Sequence, residues 1–268
     1  MNLERVAEDE LVMESSDSVS AFDGAGEPGG PLFPIYHFNA TALSQLLPQN
    51  SVVLDVFCGS AQFLTYLLKG RADLQAIGLD LSQSMLDLAA ANLEAAGLES
   101  RVQLVKADAA IADETIAQDI HAVSCLSALH HCPRPEDLVA VLSSIQRLRE
   151  RNGCAVWLFD LVRPEKESML QLIPRIHEIS MGKSLDAAFK KDWITSLRAG
   201  WTFEEFKHSL ESAGMLLTGA NANNSQLHWA GMKEPAAEVP DWDGPTLDAR
   251  DLSVAIKLAN AMGWSHLG

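Results

Sequence analysis

A short apolar strand that ends in a turn of small residues is the feature that most constrains the fold of this chain. Residues 52–57 read VVLDVF, residues 58–61 read CGSA, and a helical pattern follows over 62–69. A second apolar run, over 74–79, ends in Asp80, about 20 residues after Gly59. Backbone N–H groups in such a turn can approach a ligand closely, and an acid at the tip of the next strand accepts hydrogen bonds from ribose hydroxyls. The pattern therefore predicts a nucleoside-binding half-site.

Strand and helix patterns alternate from residue 52 onward, which indicates a parallel sheet with helices on both faces. Strands are predicted over 52–57, 74–79, 102–107, 121–126 and 153–160, and helices over 62–69, 83–96 and 135–149. A helix over 203–213, capped by Thr202, precedes a predicted hairpin of strands over 215–219 and 226–232. We therefore expect an α/β fold: a doubly wound, Rossmann-like, mostly parallel sheet of seven strands with a helical cap.

Composition divides the chain into three parts. Residues 1–30 are acidic and rich in Ser and Gly, so they are predicted to be disordered. Residues 31–232 are predicted to form the main domain, with cap elements at 31–47, including a helix over 39–47, and at 161–201, where no strand pattern occurs. Residues 233–268 are predicted to form a C-terminal extension with one helix, over 249–262.

Charge and apolar patterning exclude several classes of partner. The formal net charge is −16, with 36 acids against 20 bases, which disfavours binding to a nucleic acid backbone. No apolar run approaches the roughly 18 residues that would span a membrane, and the N-terminus shows no secretory signal. Four cysteines without a Cys-x-x-Cys pair are predicted to be reduced thiols of a cytoplasmic protein; they are Cys58, Cys125, Cys132 and Cys154.

Four motifs, in register, resemble those of class I S-adenosylmethionine-dependent methyltransferases. Residues 55–61 (DVFCGSA) are similar to the family's Asp/Glu-x-Gly-x-Gly-x-Gly motif, and residues 78–82 (GLDLS) to its second motif. Residues 106–109 (KADA) resemble the acidic motif after the third strand, and residues 127–132 (SALHHC) the segment after strand four in the small-molecule branch. The resemblance covers about 38–232. Phe57 and Ala61 stand where the family has glycine.

The resemblance implies S-adenosyl-L-methionine as the cofactor, which would leave as S-adenosyl-L-homocysteine. Alternatives remain open at three positions: Asp55 as an acceptor of turn hydrogen bonds, Asp108 as a helix N-cap, and Met85 as a core residue. The cofactor-binding residues carried over onto this sequence are Asp55, Phe57, Gly59, Ser60, Ala61, Asp80, Leu81, Met85, Asp108, Ala109 and Ser127.

His130 and His131 follow the fourth predicted strand, at the sheet edge where open α/β folds bind ligands. Because imidazole titrates near neutral pH, either histidine is a candidate catalytic base; the alternative is that one packs against the sheet. No set of histidines, cysteines and aspartates has the spacing of metal ligands, so no metal site is predicted.

Acceptor binding is predicted in the two cap elements. Tyr36 and His37 are candidate lid contacts, and Trp193, Arg198 and Trp201 combine apolar surface with a guanidinium group. The alternative for the latter group is a surface helix whose tryptophans pack on the sheet.

The predicted function is methyl transfer to an oxygen, nitrogen or sulfur atom of a small molecule. The alternative, suggested by Phe57 and Ala61, is an altered or decayed methyltransferase-fold protein with a ligand-binding, regulatory or non-methylating role. The sequence leaves open a homodimer.

Overall fold

The computed structural model describes residues 3–8, 23–215, 240–245, 247, 248 and 251, and the backbone of 220–222 and 226–231. The predicted C-terminal helix over 249–262 lies outside these residues, apart from Asp251. Within the described part of the chain, no helix has both the length and the apolar character needed to cross a membrane.

Seven strands form a single sheet. They are β1 Val52–Val56, β2 Gln75–Asp80, β3 Val102–Lys106, β4 Ala122–Leu126, β5 Ala155–Leu161, β6 Ala220–Ala222 and β7 Gln226–Gly231. Their spatial order is β3-β2-β1-β4-β5-β7-β6. Strands β1 to β5 pair in parallel, whereas β7 is antiparallel to both β5 and β6. The predicted fold class is confirmed. The strand before β7 is Ala220–Ala222, and the predicted strand over 215–219 lies, apart from Met215, outside the described residues.

Helices connect the parallel strands and build the cap. They are α1 Phe33–Ser44, α2 Gln62–Gly70, α3 Gln83–Ala96, α4 Ala112–Thr115, α5 Pro135–Asn152, α6 Glu167–Met181, α7 Ala187–Ala199 and α8 Phe203–Ser212. Helix α1 begins six residues earlier than predicted, because Pro34 occupies the first turn, where a missing N–H is tolerated. The predicted cap region 161–201 contains the end of β5 and helices α6 and α7.

The sheet has an apolar cluster on each face. Val53 of β1 belongs to the cluster that includes Phe38 and Trp157, whereas Leu54 belongs to the cluster that includes Leu142 of α5. This division follows from the alternation of side chains along a strand. The Trp157 indole Nε1 donates to Asn39 Oδ1 at 2.8 Å, so α1 is also joined to β5 by a buried polar contact.

Residues 3–8 pack against the cap and the sheet edge. The backbone N–H of Leu3 donates to the carbonyl of Glu165 at 2.8 Å, and the guanidinium of Arg5 reaches the carbonyl of Ala199 at 2.7 Å. Asp23 accepts a hydrogen bond from Asn92 Nδ2 at 3.0 Å, so the segment before α1 is also held. Residues 3–8 and 23–30, which belong to the segment predicted to be disordered, thus include residues with defined contacts, and residues 1, 2 and 9–22 lie outside the described part.

Candidate functional site

A cavity of about 480 Å³ lies at the carboxyl ends of the parallel strands. The walls come from the turns after β1, β2 and β4, from α1 and α7, and from Glu8 of the N-terminal segment. Twelve of the predicted site residues line it: Tyr36, Asp55, Phe57, Gly59, Ser60, Asp80, Leu81, Met85, Ser127, His130, His131 and Trp193. The structure thus brings most of the predicted donor site and the histidine pair into one cavity.

Three alternating residues in the turn after β1 have a left-handed backbone conformation, which glycine adopts more readily than other residues. Phe57 has φ +58°, Gly59 +52° and Ala61 +58°, all in the left-handed region. These are the positions of the three glycines in the methyltransferase motif, so Phe57 and Ala61 adopt the turn despite their side chains. A non-glycine residue in this region costs roughly 1 kcal/mol relative to glycine.

Asp80, at the tip of β2, forms hydrogen bonds with both the turn after β1 and the turn after β2. Its Oδ2 accepts the backbone N–H of Gly59 at 2.9 Å, and its Oδ1 accepts the backbone N–H of Ser82 at 2.8 Å. An ionised carboxylate has about four acceptor positions, so two remain for a ligand in the cavity. Ser82 then caps α3, because its Oγ accepts the backbone N–H of Met85 at 3.2 Å.

Asp55 is buried beneath the same turn. Its Oδ1 accepts a hydrogen bond from Ser124 Oγ at 2.6 Å. Burial, which penalises the ionised form, raises the pKa of Asp55 to about 7; the nearby charge of Asp80 acts in the same direction, and the Ser124 hydrogen bond opposes it. A cationic ligand group in the cavity would favour the ionised carboxylate.

His130 is buried and held by Asp160 of β5. Its Nδ1 lies 2.7 Å from Asp160 Oδ1, and its backbone N–H donates to Asp160 Oδ2 at 2.8 Å. Burial alone would lower the pKa of His130, but the Asp160 carboxylate outweighs it, so the pKa is raised above its ordinary value. Because Nδ1 is engaged, Nε2 is the ring nitrogen left for other partners.

Glu8 also lines this part of the cavity, and its place in the site was not predicted from the sequence. Its Oε2 lies 2.6 Å from His131 Nδ1, its Oε1 lies 4.0 Å from His130 Nε2, and Ser196 Oγ donates to Oε1 at 2.7 Å. Burial would raise the pKa of Glu8, but the contacts with the two histidines and Ser196 outweigh it and lower the pKa to about 2. Glu8, His130 and His131 thus form a group of three potential metal ligands, which sequence spacing did not reveal.

Arg5 fixes the segment that carries Glu8. Its guanidinium donates to the carbonyls of Ala199, Pro133 and Cys132, each at 2.7 Å, and to that of His130 at 3.1 Å. It also lies 3.6 Å from the ring centroid of Trp201. Trp201 is buried and donates through Nε1 to the carbonyl of Leu129 at 2.9 Å, so its predicted contact with the acceptor is wrong.

Two other predicted acceptor residues lie outside the cavity walls. Arg198 pairs with Glu167 near the surface, and His37 Nδ1 lies 2.7 Å from the Tyr66 hydroxyl. Their predicted role in acceptor binding is therefore not supported. Trp193 does line the cavity, and its ring contacts those of His177 and Phe189, at centroid distances of 5.1 and 5.9 Å.

Three residues assigned to the cofactor do not line the cavity: Ala61, Asp108 and Ala109. Asp108 Oδ1 accepts the backbone N–H of Ala110 at 2.9 Å and caps a 3₁₀ turn, which is the alternative role considered from the sequence. Ala61 and Ala109 are buried. The four cysteines are buried.

Residues 53–153 match the family model described as a methyltransferase domain. The match confirms the resemblance carried by the four motifs and the cofactor that it implies, S-adenosyl-L-methionine. The carboxy-S-adenosyl-L-methionine synthase of Campylobacter jejuni serotype O:2 is 39% identical over 70 residues, which are 25% of this chain and 30% of that protein. The ubiquinone biosynthesis O-methyltransferase of Methylococcus capsulatus is 26% identical over 206 residues, covering 75% of this chain and 82% of that protein.

Among solved structures, the plantazolicin methyltransferase BamL, in complex with a triazolic desmethylPZN analog and SAH, aligns with a TM-score of 0.54 and 16% identity. The alignment covers 78% of this chain and 71% of that protein. At this level of identity the likeness concerns the fold.

Proposed function

We propose that this chain, which carries a class I S-adenosylmethionine-dependent methyltransferase domain, transfers the methyl group of S-adenosyl-L-methionine to a heteroatom of a small molecule. The proposal rests on the hydrogen bond between Asp80 and the turn after β1. Asp80 holds the N–H of Gly59, and three left-handed residues shape that turn at the mouth of the cavity. This is a backbone arrangement suited to a nucleoside ligand.

In this proposal the donor lies along the turns after β1 and β2. The remaining acceptor positions of Asp80 bind the ribose hydroxyls, and Leu81 and Met85 contact the ribose and adenine. Asp55 and the turn residues contact the methionine moiety, whose ammonium and sulfonium charges favour an acidic pocket. The support is that these side chains line one continuous cavity.

The acceptor is proposed to occupy the part of the cavity between α1, α7 and the histidine pair. Tyr36, Phe159, Phe189 and Trp193 supply aromatic surface there, and His131 supplies a polar group. The cavity volume of about 480 Å³ falls within the range of small-molecule sites, roughly 300–1,000 Å³. The net charge of −16 supports a small molecule over a nucleic acid. The O-methyltransferase relative favours oxygen as the attacking atom.

Transfer would proceed by in-line displacement. The acceptor heteroatom attacks the methyl carbon, the carbon–sulfur bond breaks, and its electron pair stays on sulfur to give S-adenosyl-L-homocysteine. Much of the rate would come from positioning, because the sulfonium is already an activated leaving group. His130, oriented by Asp160, and His131, beside Glu8, are the groups proposed to promote loss of the acceptor proton.

The test is a labelling experiment with S-adenosyl-L-methionine that carries an isotopically labelled methyl group. The protein is incubated with fractions of a small-molecule extract, and mass spectrometry follows S-adenosyl-L-homocysteine and labelled products. At a donor concentration near the wild-type Kd, label in a small molecule that forms at least about fivefold more slowly with Asp80→Ala than with the wild type and an Asp87→Ala control supports the proposal. Donor that binds yet stays intact with every fraction contradicts it and points to the decayed alternative.

A second candidate is chemistry on the donor itself. It is favoured by the 39% identity, over 70 residues, with a carboxy-S-adenosyl-L-methionine synthase. The same mass spectra distinguish this candidate, because the donor would then gain mass instead of losing its methyl group. The four buried cysteines, none of which forms a disulfide in the described part of the chain, support the expected cytoplasmic location, and a homodimer stays a prediction.

A further inference from the structure

The side chains of Glu8, His130 and His131 converge on one point of the cavity wall. One ligand atom from each of them lies within 4.8 Å of the other two. His131 Nδ1 is 2.6 Å from Glu8 Oε2, and His130 Nε2 is 4.0 Å from Glu8 Oε1. We propose that these three residues bind a divalent transition-metal ion, with Zn²⁺ as the best match, and that the ion holds the oxygen of the acceptor.

The ligand set matches the chemistry of zinc. Two imidazole nitrogens and one carboxylate oxygen form the His₂Glu set of several catalytic zinc sites, which leaves a coordination position open. Zinc–ligand bonds of roughly 2.0–2.2 Å place ligand atoms about 3–3.5 Å apart around a tetrahedral ion. His131 Nδ1 lies 2.6 Å from Glu8 Oε2 and His130 Nε2 lies 4.0 Å from Glu8 Oε1, so the side chains would have to adjust for one ion to contact all three. Mg²⁺ and Ca²⁺ prefer oxygen ligands and fit less well.

The surroundings also resemble those of a metal site. Asp160 lies 2.7 Å from Nδ1 of His130, which fixes the ring and leaves Nε2 for the ion. Carboxylate–histidine–metal chains of this kind orient the ligand and increase its basicity. Ser196 Oγ donates to Glu8 and positions its carboxylate.

The position of the triad gives the ion a role in methyl transfer. The triad lines the same cavity as Asp55 and Asp80, so an open coordination position faces the space assigned to the acceptor. Coordination lowers the pKa of a bound hydroxyl group. Its proton leaves to bulk water, the carbon–oxygen bond forms as the carbon–sulfur bond breaks, and the electron pair goes to sulfur. This role rests on the proposed methyl transfer, whereas metal binding itself does not.

The experiment titrates Zn²⁺ into the chelator-treated full-length protein by calorimetry, and repeats the titration with Co²⁺ by visible absorption. We expect one ion per chain and cobalt bands of a nitrogen–oxygen site. His131→Ala and Glu8→Gln should each weaken binding about tenfold or more, whereas the exposed control variants His208→Ala and Glu4→Gln should stay within about twofold. Circular dichroism establishes that every variant is folded.

Absence of stoichiometric binding by the wild type would overturn the inference, as would wild-type affinity in both His131→Ala and Glu8→Gln. Titration of S-adenosyl-L-methionine into the same proteins separates this failure from that of the proposed function. Donor binding without ion binding removes the metal site alone, and ion binding without donor binding removes the methyl transfer.

Discussion

The carboxylate of Asp80 accepts the backbone N–H of Gly59 at 2.9 Å, which joins the tip of β2 to the turn after β1. The contact links the two motifs that dominate the sequence and gives Asp80 two functions. It supports the turn, and it offers its remaining acceptor positions to a ligand. Loss of the first function would lower the stability of the protein, and loss of the second would lower its affinity for the ligand.

Replacement of Asp80 by alanine should weaken donor binding by about 1.5–3 kcal/mol, the usual effect of losing hydrogen bonds to a charged group. This corresponds to roughly 10- to 150-fold in Kd, measured by calorimetric titration with S-adenosyl-L-methionine. Thermal unfolding should show a folded variant with reduced stability, because the Gly59 and Ser82 N–H groups lose their acceptor. Asp87→Ala, on the exposed face of α3, is the matched control. Unchanged affinity in folded Asp80→Ala would show that the ribose binds elsewhere.

Ala61→Gly should leave donor affinity within about twofold, because Ala61 does not line the cavity. Two contributions to the free energy of unfolding oppose each other in Ala61→Gly. Glycine relieves the left-handed conformation at φ +58°, which stabilises the fold, whereas the loss of a buried methyl group destabilises it. Ala89→Gly in α3 is the control, since Ala89 is equally buried but helical.

Chemical denaturation should therefore find Ala61→Gly more stable than Ala89→Gly by about 2–3 kcal/mol. This is the sum of the cost of a left-handed alanine, about 1–2 kcal/mol, and the cost of glycine inside a helix, about 1 kcal/mol. Equal losses in the two variants would mean that the turn after β1 has a different backbone from the one described.

Arg5→Gln should release the N-terminal segment from the cavity. Four carbonyl contacts and the Trp201 ring are lost, but Arg5 is partly exposed, so we expect a fall in unfolding free energy of only about 1–2 kcal/mol. Hydrogen exchange of residues 3–8 should accelerate while that of β1 is unchanged. Arg134→Gln, which removes an exposed pair with Asp137, should alter neither property. Protected amides at 3–8 in Arg5→Gln would show that other contacts hold the segment.

Donor affinity should rise with pH between about 5.5 and 7 because of Asp55. Burial raises the pKa of this carboxyl group to about 7, so it is largely protonated below that pH in the free protein. The positive charges of the donor favour ionised Asp55, so binding below pH 7 should release a proton and strengthen as pH rises through the raised pKa. Calorimetry in buffers of different ionisation enthalpy counts the proton. Asp55→Asn should bind without this pH dependence, Asp87→Asn should retain it, and a flat wild-type profile would refute the assignment.

The five parallel strands were predictable because each of them is a largely apolar run bounded by turn residues, and such a run indicates a buried strand. The Gly59 turn and Asp80 were predictable for the same reason, since the turn and the tip of the strand are adjacent to those runs. Strand β6, with the sequence Ala-Asn-Ala, has no such run and was not predicted. Helix α1 begins before the predicted 39–47 because Pro34, which disfavours the interior of a helix, is tolerated in its first turn. Local rules thus predicted the turn after β1 and the position of Asp80 at the tip of β2.

The residues around the part of the cavity proposed for the acceptor were harder to predict, because their contacts join residues that are far apart in the sequence. Arg5 binds backbone carbonyls more than 120 residues away. Because every residue has a backbone carbonyl, no side-chain pattern in the sequence indicates which carbonyls Arg5 binds. Glu8 was missed because its side-chain partners, His130, His131 and Ser196, also lie more than 120 residues away. Trp193 and Trp201 share a segment, but Trp201 follows the end of α7 and bridges to Val162, which buries it, whereas Trp193 lies within the helix and reaches the cavity.

The most direct test of the central claim is a calorimetric titration of the wild-type protein with S-adenosyl-L-methionine and, in parallel, with NAD⁺. The turn after β1 lacks the Gly-x-Gly-x-x-Gly pattern that seats a pyrophosphate, so we predict saturable binding of one S-adenosyl-L-methionine per chain and none of NAD⁺. No saturable binding of S-adenosyl-L-methionine to the folded protein, or tighter binding of NAD⁺, would contradict the claim that this cavity is a methyl-donor site.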